Sequence, residues 1–297
     1  MRPRALIQSL LFPLRRSFPA KPSDHLRTLV ALLFAHRWKG QLAEAERFLR
    51  SESPPSDGLG AKLDAWLASP AWELRNAAVK LIARARDQGR YARLLERLLD
   101  GAEAGIVRRN AAEAVARLGL STPPARAALM RAMSDPYWEV RTEAALALAE
   151  LFPPAEDIEA AVLQVLYGSL ARARRRIREA NFEVRMACAC ALGRRGLSRA
   201  AFNALLALGD DDSWLVRSQA VVAIAHFVGR QPDLFSEART RIERVDRLSE
   251  GCVSYFVHRE VLDFVLRAVQ DGPQALTSER LTPFYLNPKA GWNRVRR

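Results

Sequence analysis

Apolar residues along this chain fall at helical spacing and return on a fixed phrase. In "SDPYWEVRTEAALALAEL", residues 134–151, the positions Ala144, Ala145, Ala147, Leu148 and Leu151 recur at spacings of three and four, the period of one helix face. Asp135-Pro136 suits a helix start, with the acid near the cap and the proline in the first turn. The phrase comes back around an apolar–arginine step at Leu74-Arg75, Val107-Arg108, Val140-Arg141, Val184-Arg185 and Val216-Arg217, at spacings of 33, 33, 44 and 32 residues. Two residues before each apolar anchor stand Trp72, Gly105, Trp138, Phe182 and Trp214. Three after the arginine come Ala78, Ala111, Ala144, Cys188 and Ala220, and seven after come Ile82, Val115, Leu148, Leu192 and Ile224. Small residues let helices approach, and branched ones fill the gaps between them.

Before each phrase lies another amphipathic stretch, such as "YARLLERLLD" (91–100), "ARAALMRAMS" (125–134) and "RAAFNALLAL" (199–208). A lone helix pair cannot bury its apolar face, but stacked pairs share one continuous core. The pattern therefore predicts an all-α chain: an α-solenoid of stacked helix pairs forming a right-handed, armadillo-like superhelix, with about five clear repeats and degenerate ends. The expected organisation is a basic amphipathic N-terminal appendage over 1–23, a solenoid over 24–271 and a basic C-terminal tail over 272–297. "DHLRTLVALLFAHR" (24–37) and "QLAEAERFLR" (41–50) read as an N-terminal capping pair. "YFVHREVLDFVL" (255–266) reads as a degenerate sixth unit, with His258 in the arginine slot.

The repeated phrase resembles the HEAT repeat, in the short bacterial form also found in phycobilin lyase subunits, over about residues 58–230. That family places an acid six residues before the arginine, as at Asp135, Glu179 and Asp211 here. The resemblance implies that these acids and arginines bridge successive repeats in a ladder. Ser69 and Ala102 replace the acid before Arg75 and Arg108, so the ladder is expected to be incomplete there.

Charge changes the picture once it is divided. The formal net charge is +13, but residues 1–50 carry ten basic and three acidic side chains and residues 281–297 carry four basic and no acidic ones. The 230 residues between hold 32 basic against 30 acidic side chains, so the excess sits at the ends. A body that cradles nucleic acid is usually basic along its groove. The N-terminal stretch interrupts its apolar residues with Gln8, Ser9 and Pro13 and has no clean cleavage site, and no stretch is apolar over the ~18 residues of a membrane span, so a cytoplasmic protein is expected. Cys188, Cys190 and Cys252 form no disulfide framework. His25, His36, His226 and His258 have no metal-ligand spacing, and neither a phosphate loop nor a nucleophile elbow is present. No catalytic residue, metal or cofactor is expected.

Candidate binding residues come from the second helix of each pair, which lines the concave face in HEAT-type folds. Positions one, five and nine after the arginine share one helix face and avoid the core columns. Position nine reads Arg84, Arg117, Glu150, Arg194, His226; position five reads Lys80, Glu113, Leu146, Cys190, Val222; position one reads Asn76, Arg109, Thr142, Met186, Ser218. The groove is thus basic at its N-terminal end and more apolar toward its C-terminal end. The stripe of Leu146, Met186, Cys190 and Val222 suits an apolar peptide, or is covered by the tails. The 44-residue spacing marks an insertion of 11 residues, about three helical turns, which predicts one lengthened helix over 157–180. Its added end carries Arg172, Arg174, Arg175, Arg176 and Arg178, placed to meet an acidic surface or to be a solvated helix end.

Two function classes follow. One is a non-enzymatic scaffold or adaptor that holds a protein partner, either an acidic surface or an apolar peptide, through its groove, its basic ends and the arginine-rich insertion. The other is a nucleic-acid-binding protein similar to the HEAT-like alkylpurine DNA glycosylases, with Glu150 the groove acid in a suggestive place. The near-neutral body argues for the first, and so does the placing of the aromatics Trp72, Trp138, Phe182 and Trp214 at one repeat position, which suits packing at inter-repeat turns. A chromophore lyase subunit would rest on repeat similarity alone. The N-terminal stretch, with Leu6, Ile7, Leu10, Leu11 and Leu14 flanked by arginines, could also touch an anionic membrane.

Overall fold

A computed structural model describes residues 38–51, 58–168, 177–251 and 256–285. Among them every regular element is helical. The expected appendage at 1–23, the first capping helix at 24–37, Cys252 and the last twelve residues lie outside the described part.

The chain divides into two compact units, residues 1–85 and 86–297, where the sequence suggested one solenoid over 24–271. In the first unit, residues 38–50 are helical (α1) and precede the pair α2 (Leu59–Leu67) and α3 (Trp72–Ala85). Phe48 of α1 meets Trp66 of α2 at 6.0 Å between ring centroids. In the second unit the first helices are α4 (Tyr91–Leu99), α6 (Pro123–Ala132), α8 (Glu156–Tyr167), α10 (Arg199–Leu208) and α12 (Phe235–Gly251). The second helices are α5 (Gly105–Arg117), α7 (Trp138–Leu151), α9 (Phe182–Arg195), α11 (Trp214–Arg230) and α13 (Arg259–Gln270). Each pair packs together, and α5, α7, α9, α11 and α13 stack in chain order as an inner layer.

The predicted core columns are buried: Val107, Val140, Val184 and Val216, then Ala111, Ala144, Cys188 and Ala220, then Val115, Leu148, Leu192 and Ile224. The odd glycine in the aromatic column has a reason. A Cβ on Gly105 would lie 2.6 Å from the Tyr137 ring of the next repeat. Trp214 packs edge-on against Phe256 of the following unit at 5.2 Å, the inter-repeat packing the aromatic column implied.

The arginine ladder forms with one geometry. Arg108 grips Asp135 through Nε (2.7 Å) and Nη2 (2.8 Å), and Arg141 grips Glu179 at 3.1 and 2.9 Å. Arg185 grips Asp211 at 2.7 and 2.8 Å, and Asp212 at 2.7 Å. The remaining Nη1 turns back to its own repeat: Arg141 donates to the Asp135 carbonyl (2.8 Å), Arg185 to the carbonyls of Glu179 and Ala180, and Arg217 to that of Asp211 (2.7 Å). Each acid also accepts the backbone N–H two residues on, Tyr137 at 2.8 Å, Asn181 at 3.0 Å and Ser213 at 2.9 Å. Asp135 is therefore a turn residue and ladder rung. Helix α7 begins only at Trp138, and Pro136 stands before it rather than in its first turn. The sixth unit lacks an acid, and the Phe256 carbonyl accepts from Arg217 instead (2.8 Å). His258 caps α13 rather than lying within it.

Two stability changes follow. Ala144 is fully buried, so Ala144→Glu places an unpaired carboxylate between helices and is expected to cost several kcal/mol or prevent soluble expression, read by thermal melting. Asp135→Ala strands a buried guanidinium and is expected to cost about 3–5 kcal/mol, whereas replacing Arg108 and Asp135 together by apolar residues costs far less. Equal losses in the single and double variants would contradict this account of the ladder.

Candidate functional site

The inner face of the second unit changes character along its length. Position five goes from half-buried Glu113 and Leu146 to buried Cys190 and Val222, and position nine from exposed Arg117 and Glu150 through half-buried Arg194 to buried His226. Met186 is buried as well. The stripe read from sequence as an apolar docking surface is therefore closed at its C-terminal end.

The covering comes from the chain itself. The segment expected to be tail from 272 onward is packed structure as far as Tyr285: two short 3-10 turns, Pro273–Ala275 and Thr282–Phe284, flank the one-turn helix α14 (Ser278–Leu281). Leu276, Leu281 and Tyr285 are buried. The segment runs against α11, where a Cβ on Gly229 would meet the Leu276 carbonyl oxygen at 2.1 Å, so only glycine fits. The Tyr285 hydroxyl hydrogen-bonds His226 Nδ1 at 2.9 Å and would lie 2.6 Å from a Cβ on Gly193. Phe284 stacks on Phe264 of α13 at 3.8 Å.

The electrostatics of this end are unusual. Burial, then the charges of Arg230, Arg194 and Arg195, pushes His226 down from 6.5 to about 4, so the ring is neutral near pH 7. Burial pushes the Cys190 thiol up to about 11 and the Tyr285 hydroxyl well above its ordinary value. The Cys188 thiol is raised too, again by burial. Both cysteines are buried: Cys188 as its place in the small-residue column implied, Cys190 although its register assigned it to the groove stripe.

Two of these arginines form a device that sequence reading missed. Arg195 donates to the carbonyls of Ala149 (2.7 Å) and Glu150 (3.3 Å) at the end of α7. Arg230 donates to Gly193 (2.9 Å) and Gly196 (3.1 Å) at the end of α9. Each closes the C-terminus of the preceding inner helix, where carbonyls lack partners and a cation is favoured. In the first unit Arg84 does the same for the Leu49 and Ser51 carbonyls after α1. The candidate groove residue Arg84 thus has a structural use. The recurring basic residue in the last turn of the second helices was the available signal.

The N-terminal end of the inner face is a charged network. Arg109 lies 3.4 Å from Glu113, 3.9 Å from Glu139 and 3.5 Å from Glu143, and Arg117 lies 2.7 Å from Glu113. Burial, then the charge of Glu139, raises the neighbouring Glu183. The buried hydroxyls at position one, Thr142 and Ser218, back-bond to the Trp138 and Trp214 carbonyls at 3.1 and 2.8 Å.

The arginine-rich insertion is not a lengthened helix. Helix α8 stops at Tyr167, and Gly168 takes a positive φ of 76° that a helix cannot continue through. The chain returns at Arg178, whose N–H donates to the Leu166 carbonyl at 2.7 Å. Counting helical turns kept the phase but ignored the glycine. Arg178 is exposed, while Arg172, Arg174, Arg175 and Arg176 lie outside the described residues.

Among the described residues no group of histidine, cysteine and carboxylate side chains could hold a metal, and no helix is long and apolar enough to cross a membrane. The fold and its inner face define a helical-repeat solenoid. A family model of HEAT repeats matches residues 61–149 and, about one repeat further on, 92–180, so this stretch carries HEAT repeats. A comparison with curated proteins gives no match.

The neutral His226 makes a pH prediction. Above pH 6.5 the ring is uncharged in both folded and unfolded chains. Below it the unfolded chain takes up a proton that the folded chain refuses until about pH 4, so stability falls through that window. His226→Gln removes the titration. Wild type is expected to lose more stability than this variant between pH 7 and 4.5, by on the order of 2–3 kcal/mol. Parallel pH profiles in thermal melts would contradict it.

Proposed function

We propose that the protein is a non-enzymatic HEAT-repeat scaffold of the cytoplasm that holds a protein partner on the inner face of its second helices. What supports this most is that the inner face already takes up a short piece of polypeptide. Leu276, Leu281 and Tyr285 fill its C-terminal end, and glycines stand where side chains would obstruct them. A face that accepts a segment by apolar burial, one anchored phenol and close backbone approach has the features of peptide recognition. The charged stretch around Arg109, Arg117 and Glu150, with Arg194 beyond it, supplies orientation and selectivity rather than bulk affinity. Arg172, Arg174, Arg175, Arg176 and Arg178 are a second contact in this reading, complementary to an acidic protein surface.

Charge reversal at Arg174, Arg175 and Arg176 is expected to abolish capture of a protein partner from a nuclease-treated extract while the melting temperature stays unchanged. Reversed charge on the partner restores capture. The nucleic-acid reading predicts the opposite: submicromolar binding that falls steeply with salt, with a loss of about three units of logarithmic salt slope in the triple variant.

A further inference from the structure

The segment Pro273–Tyr285 is built differently from the repeats it covers. Its regular structure amounts to one turn of α-helix between two 3-10 turns. It follows Gly272, whose φ of 96° suits the sharp departure from α13. Many of its hydrogen bonds are local: Gln274 to the Asp271 carbonyl, Thr282 to that of Ser278, and Arg280 to that of Ala275. It is anchored on the inner face by the Tyr285–His226 hydrogen bond and by the burial of Leu276 and Leu281. The repeats, in contrast, are locked to one another by bidentate guanidinium–carboxylate rungs and helix-end caps.

The glycines separate two roles. A Cβ on Gly193 would also strike Ala223 of α11, at 2.7 Å, so that glycine serves helix stacking as well. At Gly229 the near neighbours are all in Leu276. A glycine near the end of a 17-residue helix is unfavourable relative to alanine by about 1 kcal/mol, and here it makes room for the segment. The segment also covers positions five and nine of the inner face, which the repeat register turns toward a ligand.

We infer that Pro273–Tyr285 is a displaceable occupant of the groove formed by α9 and α11. It holds the site that a partner segment of the same pattern takes: an apolar residue, a second five residues on, and a phenol four beyond that. This rests on the reading of the inner face as a partner-binding surface and names its site, its ligand class and its regulation. A partner competes with a tethered segment at high effective concentration, so it binds when its own affinity is greater or when the tether is loosened. Protonation of His226, which is bonded to Tyr285 and lies within the fields of Arg194, Arg195 and Arg230, adds a positive charge among three arginines and loosens the hold.

Hydrogen exchange on the intact wild-type chain tests the first half. Amides of 276–285 are expected to exchange through local opening, at least about tenfold faster than those in the middles of α9 and α11. Gly229→Leu is expected to accelerate them further while the α9 and α11 amides keep their protection. Exchange of the segment in step with α9 and α11 would show that it is permanent core and overturn the inference. A synthetic peptide of residues 273–285 tests the second half. It is expected to bind the full-length Leu281→Ala/Tyr285→Ala chain at least about tenfold tighter than wild type, and adding Gly229→Leu should remove that binding. A folded double variant that ignores the peptide overturns the inference. If that variant does not fold, the wild-type exchange pattern decides alone. Concentration-dependent dimerisation of the wild-type chain, lost in Tyr285→Ala, would make a second copy the occupant and also overturn it. The exchange experiment needs no partner, so failure of the adaptor reading leaves its outcome unaffected.

Discussion

A buried guanidinium sets the geometry of the second unit. An arginine side chain carries five N–H donors and cannot shed its charge, so once buried it demands acceptors in fixed directions. Arg108, Arg185 and Arg217 are buried and meet that demand in two directions at once. The fork of Nε and Nη2 reaches into the next repeat, and Nη1 closes the turn of its own. The Asp135 hydrogen bond holds Arg108 above its ordinary value, against the cost of burial. One side chain therefore fixes the turn shape and the spacing of neighbouring helix pairs. The sixth unit shows how far the device bends: a carbonyl replaces the acid and the arginine keeps its place.

The rungs tie the N-terminal ends of the inner helices together, and a second set of arginines ties the C-terminal ends. Arg195 and Arg230 reach back along the stack to carbonyls that would otherwise want water. Glu159 works similarly in the outer layer, where its buried carboxylate accepts the backbone N–H of Ser198 at 3.0 Å. With both ends of α7 and α9 pinned, the spacing between them is left to side-chain volume. That is why alanine, cysteine and glycine fill the contact columns.

Much of this was legible in the sequence because it is periodic. The apolar anchor, the small-residue column and the rung acids recur at a repeat spacing, so five copies correct one another's noise. What was missed is aperiodic. Gly168 occurs once, and an 11-residue insertion that preserves helical phase gave no hint that the helix ends there. The covering of Cys190 and His226 depends on Tyr285, some 60 to 95 residues away, in a segment whose own pattern is too short to read. His226 looked like a groove residue because register alone assigns direction, and register cannot say what another part of the chain lays on top. The helix-end arginines had a visible signal in the last turns of the second helices, but charge at a helix C-terminus is common enough to pass as solvation.

The same distinction bears on what the charge means. Counting arginines treats each as available to a ligand, yet the inner layer commits its arginines in different ways. Arg108, Arg141, Arg185 and Arg217 serve as rungs, Arg195 and Arg230 as caps, and Arg109 and Arg117 sit against carboxylates. A polyanion would have to break those pairings before it gained phosphate contacts, and a buried rung costs several kcal/mol to break. A peptide that buries apolar surface beside the network leaves every pairing in place. This balance is what supports the proposed polypeptide partner over a phosphate backbone, although the chain as a whole is strongly basic.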